Sequence, residues 1–585
     1  MSDRPINSIL AADFGSVNTR ALLFDIVEGE YRLVAQGRSG TTIGAPGDDA
    51  HIGLSAALRE MAEATGRRFL DERGHIIRPE QADRLGVDYY LTTASAGLAL
   101  RAALVGLYPG HDLAAARRAI APFYIEIAAA VHLEDGLGPK GRLNRIVHSR
   151  PQLILITGGA DGGARTAPLE MLGVVRQAVS LLPMAGRPAV VFAGNSSLVP
   201  SAREMLSQQA EVLIAPNIVA GEGAREAARN ALASVVGDYR RRESCFRRVA
   251  AMSDSGIVST ARGLETMTAF FSRALRQAVL AVDIGGARST LTVAGKGGVW
   301  TGIRNDIGLG HGFASALELI GEDAIGEWLP FHPRKGELAK YAVKKGLRPE
   351  GVPLDMRERY IEYAMLRACL RVMFGAAREP GNSATEPARV GMALLAGAAL
   401  SGSGPGALHM LMLSDALQCD GVLLVKSDPY GALAALGALA GVQPTAVVQL
   451  ANRNVLEDVG AIIRATGPAT ADAIALRVSV RLESGELLQR EIADGDVWRL
   501  SLRANSRAEV RIQARRGVSV GGKRRLRLQL TGGRGGLLFD ARLDTLEKES
   551  SMTARAVKML RWFAAVSGDD EPVVIPESWL AGPGE

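Results

Sequence analysis

Asp13 and Asp283 stand in the same local setting: each closes an apolar run and precedes a glycine by two residues, in "ILAADFGSVNTRALLF" and in "VLAVDIGGARSTLTV". A second apolar run follows each turn. A glycine turn past a buried strand bares backbone N–H groups, because without a Cβ the chain can approach a ligand closely. Such a nest attracts phosphate oxygens. A carboxylate at the strand end suits Mg2+, which keeps several waters and takes one or two acids. Two such turns facing each other would hold β- and γ-phosphates from opposite sides, and that arrangement needs both copies. Two ordinary β-hairpins with Asp-Gly turn chemistry are the alternative that the residues leave open.

The elements around the acids read as follows. "SILAADF", "RALLFDIV", "YRLVAQGRS" and "YYLTTASAG" are short apolar or alternating runs, hence strands, and residues 53–70 carry Leu54, Leu58 and Met61 at helical spacing. The Ala/Leu-rich stretch from Leu98 to about Glu134 reads as helical. "QLILITGGADGG", "AVVFAGNSS" and "EVLIAPNIV" are then three buried-strand runs, with helical stretches at 168–182 and 200–210, which implies a parallel sheet. The hairpin returns at 279–294, and a mostly helical segment runs to about 375. After about 450 the runs "ALRVSVRLESGELLQREI", "WRLSLRAN", "AEVRIQARR" and "RRLRLQLTGG" alternate as half-buried antiparallel strands do, before a closing helix at about 550–566.

At 585 residues, with 47% hydrophobic and 22% charged residues, the chain is long enough for several cores. Its formal charge of +6 is small, so basic character matters only where it clusters. Cys245, Cys369 and Cys419 are too far apart for a zinc set or a disulfide framework, which fits a reducing cytoplasm. "MSDRPINSIL" has no basic n-region leading into an apolar stretch, so a cytoplasmic protein is expected. Residues 390–413 carry no Asp, Glu, Lys or Arg, but "SGSGPG" interrupts them with backbone that lipid would not tolerate. They read as a buried strand, a glycine turn and a helix, with no membrane span.

The paired motifs resemble a known superfamily. "DFGSVNTR" looks like the first phosphate motif of the fold shared by actin, sugar kinases and Hsp70, and "DIGGARST" looks like its second. "LLAGAALSGSGPG" stands where that fold's adenosine motif belongs, and "DPYGALAALGALA" resembles its final interdomain helix. Within the superfamily the chain is most similar to the MutL proteins associated with adenosylcobalamin-dependent glutamate mutase, which are unrelated to the mismatch-repair proteins of similar name. "LILITGGADGG", "VVFAGN", "IRNDIGLG" and "SDALQCDGVLL" complete the likeness over about residues 8–445.

The resemblance implies a mixed α/β, actin/Hsp70-like two-lobed ATPase fold. Its first lobe would occupy 1–150, an inserted α/β module 151–250, the second lobe 251–445 and a β-rich basic domain 446–585. It implies ATP or ADP with Mg2+, with Asp13 and Asp283 facing the metal. Gly15, Ser16, Gly285 and Gly286 would line the phosphates, with Asn18, Thr19 and Ala287 in the same motifs. Arg20 takes the place of a phosphate-reaching Lys in relatives, and Gly397 and Ala398 would abut the adenine or ribose. Where relatives read Gly-Gly-Ala-Thr-Thr-Asp, this chain reads Gly285, Gly286, Ala287, Arg288, Ser289, Thr290. The acid has become Thr290, so binding can survive while turnover slows; a slow ATPase and none at all both stay open. Arg288 can bind phosphate or point to solvent.

Three other features carry weaker signals. "TGGADGG" after a strand and before a helix can bind an anion, and with "AGNSS" it makes Gly158, Gly159, Asp161 and Asn195 a possible second ligand or partner site. A tight turn capped by Asp161 is the plainer reading. His311, in "GLGHGF", reads as a satisfied structural histidine, and no histidine pairing suggests a metalloenzyme. Arg503, Arg507, Arg511, Arg515, Arg516, Lys523, Arg524, Arg525, Arg527 and Arg534 cluster late, and on alternating strands some would share one exposed face. With little aromatic interleaving, that face suits an acidic protein better than nucleic acid.

The function expected is a nucleotide-binding accessory or chaperone-like protein that assembles, protects or reactivates a partner enzyme, plausibly a cobalamin-dependent mutase. A catalytically degenerate nucleotide-binding scaffold is the alternative. A small-molecule kinase would need a general base and a substrate pocket, for which no residue presents itself.

Overall fold

A computed structural model describes residues 5–44, 47–379, 389–402, 406–453, 455–470, 473–543, 552–567, 576 and 579. The chain forms two compact units. One comprises the residues up to Phe14, Asn18–Phe24 and Ala35–Gly263; the other comprises Gly15–Val17, Asp25–Val34 and Leu264 onward.

In the first unit, β1 (Ser8–Phe14), β4 (Tyr89–Ala94) and the parts of β2 (Asn18–Val27) and β3 (Glu30–Gly40) outside 25–34 form most of one sheet. The rest of the unit supplies β5 (Leu100–Val105), β6 (Ile125–Val131), β7 (Leu153–Ile156), β8 (Ala189–Phe192), β9 (Val212–Ile214) and β10 (Ile257–Ser259). The first sheet has the order β10-β4-β1-β2-β3, with β1 parallel to β4 and β10 parallel to β4. The helix Ala50–Thr65 covers it with Leu54, Leu58 and Met61, as their spacing predicts; Asp49 caps its start and Gly66, at φ +69°, ends it.

The second sheet is wholly parallel, in the order β6-β5-β7-β8-β9. Alternate residues of its strands enter separate cores on its two faces, Leu153 and Leu155 on one and Ile154 and Ile156 on the other. This corrects the helical reading of residues 98–134, which hold β5 and β6, with helix only over the short turn Pro109–Leu113 and the helix Ala114–Ile120 between the strands. An Ala/Leu run buried on both faces loses the polar alternation that marks a strand, and sheet pairing overrides its helix propensity.

The second unit is built on β11 (Val279–Ile284), β12 (Ser289–Gly295), β13 (Gly298–Arg304), β14 (Met392–Ala396) and β15 (Gly421–Ser427). After them come β16 (Glu457–Arg464), β17 (Ile474–Leu482), β18 (Leu487–Ala493), β19 (Val497–Leu500), β20 (Arg507–Ala514), β21 (Arg525–Thr531) and β22 (Gly536–Asp540). Its large sheet runs β13-β12-β11-β14-β15-β16-β22-β19. The first five strands repeat the order of the first unit's opening sheet: three consecutive strands with the first innermost, then two more added beside it. This duplicated order is the actin-like pattern expected of two lobes. The other four strands form a separate sheet, β18-β17-β20-β21, whose inner face shares a core with β16 and β22. The alternating C-terminal stretch thus both extends the large sheet and builds a second one against it.

The apolar stretch at 390–402 is the buried β14, Gly397 and the short helix Ala398–Ser401, and the helix Gly406–Leu417 follows; residues 403–405 of "SGSGPG" lie outside the described residues. Among the described residues, no helix is long and apolar enough to cross a membrane.

Candidate functional site

Asp13 sits at the end of β1, in register with Thr93 of β4. Its Oδ1 accepts from the hydroxyl of Thr93 at 2.6 Å and from that of Thr260 at 3.0 Å. Its Oδ2 has no partner among the described residues. Burial pushes the Asp13 carboxyl above the ordinary range, while Thr93, the charge of Arg20 and Thr260 pull the other way. Arg20 therefore acts electrostatically on the acid. Asn18 accepts from Arg38 Nε at 3.0 Å. Thr19 is fully buried, and a Cβ on Gly53 of the helix Ala50–Thr65 would meet its hydroxyl at 2.8 Å. Neither Thr93 nor Thr260 is visible beforehand, because each lies far from the motif in sequence.

Asp283 takes the equivalent place at the end of β11, and its cross-strand partner on β12 is Thr290. On the other side it pairs in register with Ala396 of β14. Gly397 follows at φ +78°, and a Cβ there would lie 2.4 Å from Asp283 Oδ1 and from the Ile284 carbonyl. Only glycine fits that position. The residue predicted to touch the adenosine thus presses on the second acid, and exposed Ala398 begins the short helix beyond it.

The turn after Asp283 is buttressed by backbone. The Gly285 amide donates to the Arg288 carbonyl at 3.0 Å. The Leu309 amide donates to the Gly285 carbonyl, and those of Gly310 and Gly312 donate to the Gly286 carbonyl, at 2.8 to 3.0 Å. Side chains are excluded along this contact. A Cβ on Gly308 would meet the Gly286 carbonyl at 2.6 Å, and one on Gly312 the Ala287 carbonyl at 2.8 Å. The alternating glycines of "GLGHG" thus buttress the second turn, and their spacing is the signal for it in the sequence. His311 between them bonds the Gly346 carbonyl through Nδ1 at 3.0 Å, a structural contact. The bend Gly15–Val17 belongs to this same unit. A Cβ on Gly286 would meet Val17 Cγ2 at 2.3 Å and Ser16 Oγ at 3.1 Å, so the two glycine turns lie side by side.

The residues present fit Mg2+. Asp13 offers one unpartnered carboxylate oxygen, and among the described residues no group of three or more acids, His or Cys forms a protein cage. A cation that keeps its waters and takes one or two carboxylates needs no cage.

The second candidate set is also brought together, at the carboxyl ends of β7, β8 and β9. Asp161 accepts from the Ser196 amide at 2.7 Å and from Asn217 Nδ2 at 3.2 Å, and the first of these bonds does most to hold its carboxyl below the ordinary range. Asn195 Oδ1 takes the amides of Gly162 and Ser197 at 3.2 and 3.0 Å. Gly158 and Gly159 have φ of +113° and +79°. The buried atoms Asn195 Nδ2 and Thr157 Oγ1 have no partner among the described residues.

A sequence model of the MutL protein family matches residues 9–455. No curated protein matches the chain. Among solved structures it is similar to a nucleotide-free acetone carboxylase, at 13% identity and TM-score 0.31 over 84% of this chain and 81% of that one. A glycerol dehydratase reactivase matches at 13% and 0.31 over 75% and 100%. Component A of (R)-2-hydroxyglutaryl-CoA dehydratase from Acidaminococcus fermentans matches at 10% and 0.26 over 75% and 99%. Likenesses this distant add nothing to the strand order itself.

Proposed function

This chain belongs to the MutL family, the one associated with glutamate mutase, and from that premise we propose that it binds ATP or ADP with Mg2+ and serves as a cytoplasmic accessory protein. Its task would be to assemble, protect or reactivate a partner enzyme, a cobalamin-dependent mutase. The observation that carries the reading is the second turn: Gly397 lies against Asp283 on one side and Gly308 and Gly312 lie against Gly286 and Ala287 on the other, at distances no Cβ would permit. A backbone cradle beside a carboxylate has little purpose in a plain hairpin and suits phosphate and a hydrated cation. Asp13 and Asp283 would hold the metal; Gly15, Ser16, Arg20, Gly285, Gly286 and Ala287 would meet the phosphates.

Thr290 favours a second reading, the catalytically degenerate scaffold. It is buried directly opposite Asp283, so the acid that relatives carry there is missing where it would stand beside the metal. Both readings share nucleotide binding and differ in turnover. The test is to inactivate a cobalamin-dependent mutase by turnover and add this chain with Mg-ATP. Recovery of mutase activity that needs ATP supports the accessory role; no recovery, together with no ATP hydrolysis in the partner's presence, supports the scaffold.

A further inference from the structure

The sheet β18-β17-β20-β21 buries one face and exposes the other. Leu476, Val478, Val480, Val510 and Ile512 face the core, and the residues between them face outward. Six arginines share the outward parity of the strands: Arg477, Arg481, Arg507, Arg511, Arg525 and Arg527. Among the described residues paired in these strands, two carboxylates, Glu491 and Glu509, share that face. Arg477 pairs with Glu491 at 2.7 Å, while Arg511 and Arg527 both converge on Glu509 at 2.6 and 2.9 Å. Arg481, Arg507 and Arg525 have no carboxylate partner among the described residues. A shallow trough of about 730 Å³ runs along the face between Arg477, Arg511, Arg525 and Arg527.

Cross-strand ion pairs are a common way to stabilise an exposed sheet face. They explain Arg477 and its pair and leave a surplus of arginine that repels itself. The planar guanidinium matches a carboxylate with two parallel hydrogen bonds, so a row of them recognises acids rather than a single ion. Gln489, Gln513 and Gln529 lie among the arginines, and their amides both donate and accept, as the backbone of an extended peptide requires. No aromatic ring shares the face, so bases would find nothing to stack on. Its one exposed large apolar side chain is Leu487, too little to enter a bilayer.

We propose that this face is a docking surface for an acidic stretch of a partner protein. The inference does not depend on nucleotide binding. A fluorescent ten-residue polyglutamate peptide is titrated against the full chain, beside an oligothymidylate of equal charge and phosphatidylserine vesicles. The peptide is expected to bind, more weakly as salt rises, and in preference to the other two. Charge reversal at unpaired positions, Arg481→Glu with Arg525→Glu, should weaken it at least tenfold, whereas Arg503→Glu with Arg516→Glu, outside the face, should change it less than twofold. Mg-ATP binding, followed in the same variants, should be unchanged. Absence of peptide binding, equal binding by the reversed variant, or tighter binding of the oligonucleotide or vesicles would each overturn the proposal.

Discussion

The two acid-glycine hairpins occupy equivalent places in two sheets of the same strand order, yet they are held by different means. Asp13 is fixed by side chains: two threonine hydroxyls, Thr93 on the neighbouring strand β4 and Thr260 at the start of the helix Thr260–Leu275, meet one of its oxygens. The turn that follows Asp283 is set by shape, with Gly397 against the Asp283 carboxylate and three glycines against the turn itself. A hydroxyl can be exchanged with a graded loss. A glycine whose missing Cβ is filled by another backbone leaves no intermediate state. The first hairpin should therefore be tunable and the second all-or-none.

The largest effect that would break this contrast is expected at Gly397. Gly397→Ala puts a Cβ into Asp283 Oδ1 and forces a side chain into the left-handed region, costing on the order of 3 kcal/mol and abolishing nucleotide binding. Thermal unfolding and calorimetry read both losses, and a variant as stable as the parent would refute the shape argument. Thr93→Val with Thr260→Val removes the hydrogen bonds to Asp13 at about 1 to 2 kcal/mol and moves its carboxyl still higher, weakening rather than abolishing the site. Carboxyl titration by NMR shows the shift.

Asp13→Asn should raise stability at neutral pH while removing metal binding. The folded pKa of Asp13 lies above its unfolded value of 3.8, so the ionised acid costs stability at neutral pH. That cost fades as pH falls through the folded pKa and is gone below about 3.8, a slope that should be missing when the Asp13→Asn variant is unfolded across the same pH range. The smallest effect is expected at His311→Ala, within about 0.5 kcal/mol, because the ring makes one exposed contact to Gly346.

Much of this was legible in the sequence, because the hairpins announce themselves by local order: apolar run, acid, glycine, apolar run. What holds them was not, since Thr93 and Thr260 reach Asp13 only through sheet topology. Parity explains the arginines in the same way. Counting along the chain grouped Arg515 and Arg534 with the rest, but they bond the carbonyls of Pro468 and Gly402. The outward face is completed instead by Arg477 and Arg481, on a strand the count did not include. The strand β5 was hidden by composition, an Ala/Leu run being as compatible with a buried strand as with a helix.

The most direct test is calorimetric titration of the intact chain with Mg-ATP and Mg-ADP, repeated with Asp13→Asn and with Asp283→Asn. Heat of binding in the parent that weakens at least tenfold in each variant is the predicted result. No heat in the parent, or undiminished affinity in both variants, would contradict the claim that these two acids serve one nucleotide.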